Sequence, residues 1–112
     1  MENQNTPPIN NLTPAQQERL AFLQEQLGQT ATAIGTIQRW GFARVDPSLG
    51  HNSQITNRKG LENALAGVIC ATGLMTKNND LVKSSIEGAT TRTMETVVPT
   101  LTHQLATEEA RV

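Results

Sequence analysis

Apolar residues recur along this chain at helical spacing and nowhere at the alternation of a strand. In the first block, Leu20, Leu23, Leu27, Ile34 and Ile37 fall on one stripe, with Ala31 and Gly35 filling it. The start of that helix is encoded locally. Thr13-Pro14-Ala15-Gln16 supplies a capping threonine, a proline at the first helical position and a glutamine that closes a capping box. The helix is predicted to run to about Trp40 and stop at Gly41. Gly28 and Gly35 lie inside it, each costing up to ~1 kcal/mol against alanine, which points to a neighbouring helix in close approach.

Phe42 to Thr56 carries Pro47, Gly50, Asn52 and Ser53 without a period, so it is a loop. It is long for a bundle, where connections usually take ~2–8 residues, and either covers a site or forms a disordered tip. A second helix begins near Asn57, a good cap, with Leu61, Leu65, Val68, Ile69 and Leu74 on one side. Lys77-Asn78-Asn79-Asp80 is a turn in which Asn79 or Asp80 caps a third helix. That helix carries Leu81, Val82, Ile86, Ala89, Met94 and Val97. Pro99 ends it or opens a short fourth piece from Thr100 to about Leu105. Polar ends complete the expected organisation: a flexible arm over 1–12, a single all-α domain over 13–105 and a flexible tail over 106–112.

Composition narrows the function. Hydrophobic residues make up 37% of 112, below the usual ~45–50%, and the aromatics are only Phe22, Trp40 and Phe42. Three apolar stripes so poor in large rings give a thin core, so a helical bundle completed as a homo-oligomer is expected. The shortage of rings excludes the base-stacking sheet of single-strand binders. A net charge of −1 gives no bulk positive field for duplex nucleic acid or an anionic membrane. The apolar run Ala64 to Met75 falls well short of the ~20 residues that span a bilayer. The N-terminal residues are polar and include Glu2, unlike a secretory signal, so a cytoplasmic location is expected. Cys70 is alone, which excludes an intramolecular disulfide, and it sits among apolar neighbours as a packing residue. His51 and His103 have no zinc spacing. Neither a glycine-rich phosphate loop nor a GxSxG turn is present.

Three segments carry a family resemblance. Gln17 to Gln29 (QERLAFLQEQLGQ) resembles the first helix of the phage and bacterial MazG-like all-α NTP pyrophosphohydrolases. Ala33 to Phe42 (AIGTIQRWGF) is similar to the stretch that follows that family's first acidic motif. Asn57 to Val68 (NRKGLENALAGV) is similar to its NRxxLExELGDV stretch. The resemblance continues through Asp80-Leu81 to about Gln104 and implies a MazG-like helical bundle. In that family, EExxE on one helix and ExxD on the next place carboxylates on one helical face, where they hold Mg²⁺ against phosphates.

The departures from that pattern set the expected function. EExxE falls on Glu25, Gln26 and Gln29, and ExxD on Ala64 and Gly67, so only Glu25 keeps a carboxylate. No catalytic residue, metal site or cofactor is therefore expected. Loss of the acidic ligands also removes repulsion toward phosphate. The same cavity is expected to take a nucleotide or cyclic nucleotide without magnesium, through Glu25, Gln26, Gln29, Arg39, Asn57, Arg58 and Lys59. Trp40 and Phe42 offer rings for a base, or serve as core or interface anchors. The resemblance then implies a non-catalytic nucleotide-binding protein, of the kind a phage uses in the host cytoplasm to sequester a nucleotide second messenger of bacterial defence. Two alternatives stay open. One is a structural or protein-interaction helical module whose old site is dead. The other is a metal-dependent pyrophosphohydrolase with ligands relocated to Glu18, Glu25, Glu62 and Glu87.

Overall fold

The computed structural model describes residues 10–45 and 55–104. Three α-helices follow one another as α1 (Pro14–Trp40), α2 (Asn57–Lys77) and α3 (Lys83–Thr96), and a 3-10 turn covers Val98–Thr100. The chain divides into two compact units, 1–80 and 81–112. All-α is thus the fold class. Residues 1–9 of the arm, the middle of the Phe42–Thr56 connection and the tail lie outside the described residues, His51 among them.

In the first unit, α1 and α2 pack as an antiparallel hairpin. The start of α1 follows its local code. Thr13 accepts from the Gln16 amide at 3.1 Å, and Gln16 Oε1 accepts from the Thr13 amide at 2.9 Å, with Pro14 at the first position. Gly41 ends the helix at φ +89°, a left-handed backbone that side chains resist, and its N–H donates to the Ile37 carbonyl.

The seam differs from the expected one. The buried side of α2 is Asn57, Ala64, Ala71 and Met75 at near-heptad spacing, and Thr30 is the buried residue of α1. The bulky residues predicted to fill it, Leu65, Ile69 and Leu74, are exposed. Small alanines allow the two helices to approach closely, and the larger side chains are left to either side. Cys70 is likewise exposed rather than buried. Gly28 and Gly35 have open space where a Cβ would stand, so no part of the described chain makes the close approach they suggested.

Thr56, not Asn57, caps α2, accepting from the Lys59 amide. Asp80 caps nothing. Its carboxylate takes the Arg19 guanidinium through Nε at 2.5 Å and Nη2 at 3.2 Å, with Gln16 Nε2 at 3.3 Å, and so closes the hairpin near its free ends. The Arg19 hydrogen bonds hold the Asp80 carboxyl below its ordinary range against an opposing desolvation, with Gln16 assisting. Asn79 makes the turn at φ +65°, a conformation asparagine tolerates.

In the second unit, α3 begins at Lys83, later than predicted, with Val82 at the cap and no side-chain hydrogen bond there. None of its residues is buried. Ile86, Ala89, Thr90, Thr93 and Met94 line a shallow open groove along it. Pro99 sits in the 3-10 turn, and Leu101 to Gln104 do not form the fourth helical piece.

Candidate functional site

The connection end of the hairpin is built by backbone pairing. After Gly41 the chain runs antiparallel to the entry of α2 and forms a single bridge between Val45 and Thr56. The Asn57 amide donates to the Arg44 carbonyl at 2.8 Å and the Arg58 amide to the Phe42 carbonyl at 2.9 Å. Asn57 is buried, and its Nδ2 donates to the Gly41 carbonyl at 2.9 Å. The next two amides are spent on Thr56: Lys59 on its Oγ1 and Gly60 on its carbonyl. The first turn of α2 therefore keeps no free N–H for an anion, and any anion contact there falls to side chains.

Those side chains are basic and aromatic. The Arg44 guanidinium lies over the Trp40 ring at 5.5 Å from its centroid, and Arg58 lies over Phe42 at 5.3 Å. Both distances are within cation–π range. A guanidinium held over a ring keeps N–H donors for other partners. Exposed Arg39 and Lys59 flank these pairs. Among the described residues no carboxylate forms an ion pair with Arg39, Arg44, Arg58 or Lys59. The stretch from Gln26 to Leu61 holds these four cations and one acid, Asp46, although the whole chain is slightly negative.

The degenerate acidic motif lies elsewhere. Gln26 of α1 packs against Gly67 of α2, and a Cβ built at Gly67 would stand 1.9 Å from Gln26 Oε1. The amide of one motif position thus fills the space left empty at another, beside buried Ala64. Glu25 accepts from Gln29 Nε2 at 3.4 Å on the exposed side of α1. Among the described residues no three His, Cys, Asp or Glu side chains gather as metal ligands.

The predicted ligand-binding residues therefore form two groups. Glu25, Gln26 and Gln29 lie mid-hairpin, and Arg39, Asn57, Arg58 and Lys59 lie at the connection end. At 1.5 Å per residue the two groups are about 15 Å apart along α1. Asn57 is withdrawn from any ligand by its structural hydrogen bond. Arg44 was missed from the sequence, because it lies beyond the end of α1, where no helical spacing links it to Trp40. No helix among the described residues is long and apolar enough to cross a membrane. Comparison with known proteins brings no family model, no curated protein and no solved structure that matches this chain.

Proposed function

We propose that this protein binds a phosphate-bearing nucleotide without cleaving it, on a MazG-like helical scaffold assembled as a homo-oligomer. The observation that carries this reading is the pair of guanidinium-on-ring stacks at the connection end, flanked by two further cations. Arg44, Arg58, Arg39 and Lys59 grip phosphate, and half-exposed Phe42 takes the base. The mid-hairpin motif lacks the carboxylates that a Mg²⁺-dependent hydrolysis needs, so the bound nucleotide is held intact. Capture without turnover is the chemistry of a protein that sequesters a nucleotide messenger, which fits a phage protein acting in the host cytoplasm.

Calorimetry with mono-, di- and cyclic nucleotides tests this. Binding is expected to survive EDTA and weaken with added salt. Each charge-assisted hydrogen bond contributes roughly 1.5–3 kcal/mol, so Arg58→Ala or Arg44→Ala should weaken binding about tenfold to a hundredfold. Absence of binding tighter than millimolar across the panel would overturn the proposal. Metal-dependent release of pyrophosphate would instead restore the enzyme reading. A second reading, a helical interaction module, is favoured by the exposed apolar side chains of the hairpin.

A further inference from the structure

Both guanidinium-on-ring stacks converge on one hydrogen bond. Gly41 leaves α1 at φ +89° and ψ 170°, a corner of backbone space that is essentially glycine-only. A Cβ built there meets nothing within 4 Å, so the backbone angle, not crowding, requires glycine. The Gly41 carbonyl accepts from Nδ2 of buried Asn57 at 2.9 Å. Trp40 and Phe42 are the chain neighbours of Gly41. Arg58 is the chain neighbour of Asn57, and its amide donates to the Phe42 carbonyl at 2.9 Å. The Arg44 carbonyl accepts from the Asn57 amide at 2.8 Å. Both rings and both arginines therefore stand one covalent or hydrogen-bonded step from the Gly41–Asn57 pair.

We propose that Gly41 and Asn57 are a positioning pair for the anion site: the bond between them holds both stacks in place for one ligand, and neither residue touches that ligand. This rests on the nucleotide-binding reading. Asn57 is 6% exposed and its Nδ2 is spent on the Gly41 carbonyl, so the side chain acts through its neighbours. A free arginine samples many rotamers, and ordering it costs entropy that binding must offset. A stack lowers that cost only while the ring stays beneath the guanidinium. Without the Nδ2 donor, or with Gly41 forced out of its conformation, the 41–44 stretch swings from the entry of α2. Phe42 then parts from Arg58, and Arg44 from Trp40. Asp80 supplies the contrast. It ties the hairpin at the opposite end through Arg19 and Gln16 and touches neither stack.

Trp40 is the chain's one tryptophan, so its emission reports the Arg44 stack. The experiment titrates the full chain with inorganic triphosphate in trimethylamine N-oxide, which favours folded chains, and follows helicity by circular dichroism. Arg44→Ala is expected to shift the emission of the free protein. Asn57→Ala and Gly41→Ala should shift it the same way with helicity retained. Both should weaken triphosphate binding by about tenfold or more, as loss of a charge-assisted contact does. Asp80→Asn should keep wild-type emission and affinity. Wild-type behaviour of both Asn57→Ala and Gly41→Ala, beside an altered Arg44→Ala, overturns the positioning pair and leaves the binding reading standing. Equal loss of affinity in Asp80→Asn, or loss of helix in both pair variants, marks a merely structural bond and overturns the pair as well. A wild type that binds neither triphosphate nor any nucleotide overturns the binding reading. Emission alone then decides the pair, and emission that Arg44→Ala does not move leaves no stack to position and overturns it.

Discussion

At the scale of single residues, Asp80 is where charge and fold meet. Its carboxyl lies below the ordinary range because Arg19 donates to it through two nitrogens. A group whose folded pKa is depressed stabilises the fold above its unfolded value, near 3.9, and loses that contribution as pH falls through the folded value. Asp80→Asn is therefore expected to lower the melting temperature at pH 7 and to flatten its fall below about pH 4, as thermal melts across pH would record. Gly35 makes the opposite case. It sits mid-helix with open space at its Cβ position, so Gly35→Ala should raise stability by up to ~1 kcal/mol, measured by urea unfolding. The sequence carried Gly35's cost but not its surroundings. It also carried Asp80's aptitude as a cap but not its partner, since Arg19 lies on another helix and no local pattern links the two.

At the scale of elements, what was legible is what is local. Thr13, Pro14 and Gln16 write the start of α1 within four residues, and Gly41 writes its end, so both boundaries were readable. The seam was not. Counting hydrophobicity selects leucines, whereas the packing of α1 on α2 selects the small Ala64 and Ala71, a choice that depends on the second helix. The late start of α3 follows from the same cause: Asp80, drawn to Arg19, is no longer available to begin it. Of the candidate site, the cations Arg39, Arg58 and Lys59 were legible. The buried role of Asn57 was not, because its acceptor is the carbonyl of Gly41 at the far side of the connection. Asn57→Ala leaves that carbonyl without its donor and should cost roughly 1–3 kcal/mol, with loss of helicity followed by circular dichroism in urea. Asn57→Asp supplies no donor and should not rescue it.

At the scale of the whole molecule, the described chain buries only Ala64, Ala71 and Met75 among its hydrophobic residues, and no large side chain is fully enclosed. Burial of that size offsets little of the roughly 1–2 kcal/mol of backbone entropy lost for each residue that is ordered. In the homo-oligomer proposed above, the missing burial would come from association, and folding and assembly would become one transition. Dilution would then act on this protein as a denaturant does. Its folded fraction would be set by the number of copies in the compartment, by mass action. A newly made chain would gain its structure only on meeting another. A binding surface built at the end of the hairpin would then switch on over a narrow range of expression, with no further regulator required.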